Sequence, residues 1–191
     1  MTMFVMYDLG ANKLRNSSSK SSLVLRLLAA LLLQRLSVNL DDLFPGSVWT
    51  DFAYPLFAQI THLHLFDWRS REWDGWSGLA RIPRLTHLSF SKIGIADCVC
   101  RGALLHCKAL EVFAILYSSR FDLDDRGPDH AALATDPRLV LLVVRNYWIE
   151  WGTGARGGED YWVRADALVK QRRSGETKSY FTTPDDDQDQ E

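Results

Sequence analysis

The sequence is poor in cysteine, has no large excess of either charge, and holds no uninterrupted hydrophobic run that could cross a bilayer. Each shortage excludes something. Its three cysteines, Cys98, Cys100 and Cys107, are odd in number and crowd into one short region, whereas a secreted disulfide scaffold spreads an even set along the chain. They read as reduced core thiols of an intracellular protein, cytoplasmic or nuclear. Cys98-x-Cys100 with His106 and Cys107 has the atoms of a zinc site but not the usual two-residue knuckle. The formal net charge is −2, from 22 Lys and Arg against 24 Asp and Glu. Five of those acids lie in the final PDDDQDQE, so the remainder carries 22 − (24 − 5) = +3. The bases form no stripe, so no nucleic-acid partner is expected. The most apolar stretch, LVLRLLAALLLQRL from Leu23 to Leu36, is interrupted by Arg26 and Arg35 and is too short to span a membrane. It sits behind a polar lead-in with no small-x-small cleavage site, so it does not read as a signal peptide, and no membrane is expected. There is no nucleophile elbow, HExxH or P-loop. DLDDRGPDH, from Asp122, opens like a calcium loop, but Arg126 and Leu133 stand where ligands are required.

What is present is a repeat. ITHLHL begins at Ile60, LTHLSF at Leu85, LEVFAI at Leu110 and LVLLVV at Leu139. All four fit L-x-x-L-x-L with other apolar residues standing in for Leu, at intervals of 25, 25 and 29 residues. A fixed period near 25 with this hexad is the leucine-rich-repeat signal, one strand per repeat. Pro83 and Pro137 precede two of the hexads as IPRL and DPRL, and Cys107 occupies the slot that Ile82 fills one repeat earlier. Between hexads there is room for a turn, a short helix and a return; Trp73, Trp76 and Leu79/Ala80 share one helical face. One strand and one helix cannot bury an apolar face alone, so the units must stack and the ends need caps. The expected fold class is α/β: a short leucine-rich-repeat solenoid with parallel strands near 60–66, 85–91, 110–116 and 139–145, capped by helices at both ends. Residues 1–21 read as a disordered linker, 22–176 as the repeat domain, and 177–191 as a disordered acidic tail. A helix from about Ser22 to Leu36 forms one cap and a helix over 158–173 the other.

Strand alternation sends Leu63 and Leu65 inward and places His62, His64 and Phe66 on the other face. His87, Ser89 and Ser91 follow on the next strand, Val112, Ala114 and Leu116 on the third, and Leu141, Val143 and Arg145 on the fourth. The C-terminal segment is expected to fold over the last two. Residues His62, His64, Phe66, His87, Ser89 and Arg145, with Asp67 and Trp68 at the strand exit, form the candidate partner-binding surface. The alternative is an enzyme. His62, His64 and His87 lie close enough to invite a zinc ion, and Gly152-x-Gly154-x-x-Gly157 has the spelling of a phosphate-binding turn. Glu159 and Asp160 nevertheless occupy the helix start where a phosphate would sit, and no further strands of a dinucleotide fold follow. A glycine-rich turn into a capping helix is the expectation, with no catalytic residue, metal or cofactor.

The phrases LFAQITHLHLFD, IPRLTHLSFS, LLHCKALEVFAIL, DPRLVLL and GARGGEDYWVRADALVKQRRSGE together resemble the C-terminal repeat portion of the leucine-rich-repeat, F-box-associated proteins of mushroom-forming fungi, over about residues 36–176. The resemblance implies a non-enzymatic receptor that holds a protein target for a ubiquitin ligase. Residues 1–45 lack the Leu-Pro-x-Glu opening of an F-box. The partner expected is an unidentified protein, bound by a monomer acting alone or in a larger complex.

Overall fold

The computed structural model describes residues 4–7, 18–44, 50–66, 72–91, 97–119 and 133–182. Asp67, Trp68, the calcium-loop-like stretch to His130 and the acidic tail from residue 183 lie outside the described residues. By its internal contacts the chain divides into two compact units, residues 1–111 and 112–191. It is an α/β protein whose described strand pairs are all parallel.

In the first unit, strands β1 (Phe4–Tyr7), β2 (Arg35–Val38), β3 (His62–Leu65) and β4 (His87–Ser91) pair in chain order. Helix α1 (Ser18–Ala30) joins β1 to β2. The one-turn α2 (Leu40–Leu43), capped by Asn39, and a 3-10 turn over Pro55–Phe57 lie between β2 and β3. A longer 3-10 helix, Trp73–Arg81, precedes β4, and α3 (Asp97–His106) follows it. The spacing of Trp73, Trp76 and Leu79 by threes suits a 3-10 helix, in which i and i+3 eclipse. Trp76 and Leu79 are buried, while Ala80, also expected on that face, is exposed. The entry turn recurs: the N–H of Ile60, Leu85 and Leu110 donates to the carbonyl of Phe57, Ile82 and Cys107 in turn. Ile82 and Cys107 are both buried, so the cysteine does fill the isoleucine's slot, as a small apolar group.

Two differences from the sequence reading stand out here. The linker expected over residues 1–21 contains β1 and the start of α1. The helix expected to reach Leu36 ends at Ala30, and the chain enters β2, whose Leu36 and Val38 partner Leu63 and Leu65.

In the second unit, β5 (Val112–Tyr117), β6 (Leu139–Val143) and β7 (Phe181–Thr182) pair in parallel. Helices α4 (Tyr147–Ala155) and α5 (Tyr161–Ser174) lie between β6 and β7. Every residue of β5 and β6 is buried; such continuous apolar runs belong to parallel strands covered on both faces. α5 packs on β5, β6 and β7 with Tyr161, Trp162, Ala165, Leu168 and Val169 buried, so the C-terminal segment does cover these strands. Its Arg172 guanidinium donates to the carbonyls of Ala134, Asp136 and Leu139, tying the helix to the entry of β6. At its end Gly175 is left-handed (φ 79°), and Glu176 N–H returns to the Gln171 carbonyl, a Schellman-type stop.

The fourth hexad is displaced from its expected register. Leu139 pairs with Phe113 and Leu141 with Ile115, so Leu139 corresponds to the fourth hexad position, not the first. A shift of three is odd and exchanges the faces. Leu141 and Val143 therefore share a face with Ile115 and Tyr117 instead of Ala114 and Leu116. LVLLVV has no alternation to fix the phase. Part of the tail expected to be disordered from 177 is the strand β7, held by the Leu141 N–H donating to the Tyr180 carbonyl at 2.7 Å.

Candidate functional site

The polar face of the first unit is built by the recurring phrase Thr-His-Leu. Gln34, Thr61 and Thr86 stand just before their strands, and each repeat hangs on the carbonyl of the one before. The Gln34 carbonyl receives the N–H of Thr61 (2.8 Å) and His62 (3.0 Å) and the Thr61 hydroxyl (3.0 Å). The Thr61 carbonyl receives the N–H of Thr86 (3.0 Å) and His87 (2.9 Å) and the Thr86 hydroxyl (3.2 Å). Each threonine hydroxyl also meets its neighbouring histidine. Nδ1 of His62 lies 2.9 Å from Thr61 Oγ1, and Nδ1 of His87 lies 2.8 Å from Thr86 Oγ1. The two rings stack with centroids 4.0 Å apart and planes 10° apart.

One row further along, His64 is fully buried. Its Nδ1 lies 2.7 Å from Ser89 Oγ and its Nε2 3.1 Å from Ser91 Oγ, so both nitrogens are engaged. The Phe66 ring meets it edge-on at 4.4 Å. Burial drives its pKa down to about 3, which keeps it neutral at physiological pH. His62 is lowered to about 2, by burial first, then by His87 and Arg35. Neither is poised near neutrality, where a general base works best.

The sequence reading is right that His62, His64, His87 and Ser89 come together, with His62 opposite His87. It is wrong about their exposure. His64 and Ser89 show 0% of their surface and His87 7%, because each side chain is covered by the polar groups it pairs with and by its neighbours in the ladder. His62 and Phe66 are half-buried, and Arg145 is exposed but belongs to the second unit. The candidate surface left out Thr61 and Thr86, which hold the backbone ladder, Ser37, which faces His64 in the β2–β3 register, and Ser91, which was placed on the face but not among the contacts. The recurring THL phrase contained the signal for the threonines.

The three-histidine metal arrangement does not form: His62 and His87 present ring faces to each other and His64 has both nitrogens occupied. Among the described residues no group of three His, Cys, Asp or Glu side chains converges as a metal site. Cys100 and Cys107 are buried and Cys98 is exposed, none of them in a disulfide; burial pushes the Cys100 thiol up. The glycine-rich stretch also departs from expectation. Gly152 and Gly154 lie inside α4, capped by Asn146, which accepts from the Ile149 N–H at 3.1 Å. The N–H groups of Arg156, Gly157 and Gly158 all donate back to α4 carbonyls. The N-cap Asp160 of α5 accepts from Trp162 (3.0 Å) and Val163 (3.2 Å). The donors a phosphate would use are taken. Gly154 is needed there for another reason: a Cβ on it would come within 2.0 Å of the Asp160 carboxylate.

Comparison of the chain with protein-family models, curated proteins and solved structures finds no match. Among the described residues no helix is long and apolar enough to cross a membrane.

Proposed function

We propose that this chain is a short leucine-rich-repeat-type solenoid that serves as a protein-interaction module and not as an enzyme. The observation that carries the reading is the repeat-to-repeat ladder, in which Thr61 and Thr86 make the same hydrogen bonds 25 residues apart and the histidines between them are spent on neighbours. A polar row locked in this way fixes the spacing of strands; it does not move protons. The buried histidines and serines are the spine. Contact falls to the half-exposed edge of the same face, Arg35, His62, Phe66 and Ser91. Within this class, the resemblance to F-box-associated repeat proteins favours a receptor that holds a target for a ubiquitin ligase, an argument by analogy alone.

An affinity pull-down from lysate of the cells that make the protein tests this, comparing wild type with Arg35→Ala/Phe66→Ala. The expected result is a defined set of partners lost from the variant, whose melting profile remains cooperative. Partners retained in both would move the binding surface elsewhere. A ligase adaptor in the wild-type set would support the receptor reading, and its absence would restrict the claim to the interaction module.

A further inference from the structure

We propose that α1 is a peripheral docking helix for an anionic lipid surface. Its inner face is settled: Leu25 and Leu28 are buried, with the helix packed on α2 and the Pro55–Phe57 turn. Its outer face is not polar. Leu23 and Leu27 are 57% and 58% exposed, and Leu31 and Leu32 just beyond the helix are 37% and 76% exposed. Positions 23 and 27 are i and i+4 on α1 and so share a face, Leu31 follows directly on the end of the helix, and the exposed Arg26 flanks them.

Charge identifies the occupant. From Leu9 to Gln34 there is no acidic residue, while Lys13, Arg15, Lys20 and Arg26 supply four bases. The chain as a whole is slightly acidic, so this cationic block is local. Leucines with flanking Lys and Arg are what a helix lying in the headgroup region inserts. Spanning length is irrelevant to such a helix, so the shortness of the segment is no obstacle. A second copy fits poorly: two such patches would bring like charges together, and four leucines a side fall far short of the 20–30 residues a side of a stable interface. A protein groove is also disfavoured, because binding hot spots draw on Trp, Tyr and Arg and under-use Leu.

The test is co-sedimentation of the full chain with vesicles of phosphatidylcholine alone and of phosphatidylcholine with about one-third phosphatidylserine. Wild type is expected to bind the anionic vesicles at least tenfold more tightly, and to be released by high salt. Leu23→Gln/Leu27→Gln/Leu31→Gln should lose about tenfold or more, and Arg26→Gln about fivefold, the effect of one base near an anionic surface. These side chains are exposed, so melting should be unchanged; were the triple variant to melt early, Leu27→Gln and Arg26→Gln alone would give the reading. Equal binding to both vesicles, no binding to either, or variants that bind like wild type would overturn the proposal. So would a concentration-dependent dimer, broken by the leucine substitutions, with no vesicle binding.

Discussion

Acidification should unlock the spine at His64, and the size of the effect follows from its burial. In the folded protein its pKa is lowered from 6.5 to about 3, because a charged imidazole there would lose water and keep only two serine hydroxyls. The unfolded chain takes up the proton first as pH falls. The stability contributed by keeping His64 neutral is therefore complete above pH 6.5 and is lost progressively between about 6.5 and 3, at about 1.4 kcal/mol per pH unit. Between pH 8 and pH 5 the loss is about 2 kcal/mol, set almost wholly by the unfolded pKa, so the depth of the folded value hardly matters. His62, lowered by burial, His87 and Arg35, adds a loss of the same sign. Glu150 works the other way: burial raises its carboxyl despite the Arg164 guanidinium 2.9 Å away, so its protonation favours the folded state. Comparison with His64→Asn cancels both. The assay is urea unfolding by tryptophan fluorescence from pH 8 to pH 5. Wild type should lose about 2 kcal/mol more than His64→Asn across that range. Parallel pH profiles for the two proteins would refute the buried, neutral histidine.

Four further outcomes are expected. Gly102→Ala would place a Cβ 2.1 Å from the Trp73 ring, which also stacks on His106; it should cost about 1–3 kcal/mol in denaturant unfolding, and Trp73→Leu should recover part of that in a double-mutant cycle. Arg172→Met removes the donor to three carbonyls at the entry of β6 and should cost about 2 kcal/mol, with faster amide exchange at residues 134–139. Gly154→Ala forces the Asp160 cap off the start of α5 and should cost about 1–2 kcal/mol with a loss of helical circular dichroism. Thiol titration of the native protein should find Cys98 promptly reactive and Cys100 and Cys107 protected until denaturant is added.

The recurrence of the hexad made the parallel strands near 62, 87 and 112 legible, along with the pairing of His62 with His87 and the capping helix with Asp160 at its head. What escaped was phase and cover. Leu33-x-x-Leu36-x-Val38 fits the same hexad, 27 residues before Ile60, yet it runs on from a leucine-rich helix whose apolar residues leave no visible boundary. LVLLVV fits either face because both of its faces are buried, and DPRL resembled IPRL for a local reason: Leu139 and Leu85 each close the same turn, onto Asp136 and Ile82, before entering their strands at different positions. Alternation gives the side of the sheet on which His64 lies but not the depth, which depends on Ser89 and Ser91 meeting its two nitrogens. Gly152 and Gly154 looked like a loop because glycine is a poor helix former; the Asn146 cap and the close approach of Asp160 override that preference.

Cysteine pairs on the polar face, in a Cys98→Ser background, test the repeat register most directly. His62→Cys/His87→Cys places two thiols on facing residues of β3 and β4, while His62→Cys/Ser91→Cys places them about 13 Å further apart along the strand. A short bifunctional thiol reagent should link the first pair in the native protein and leave the second unlinked. Linkage of the second pair as readily as the first, or failure of the first in a folded sample, would contradict the parallel ladder on which the interaction-module reading rests.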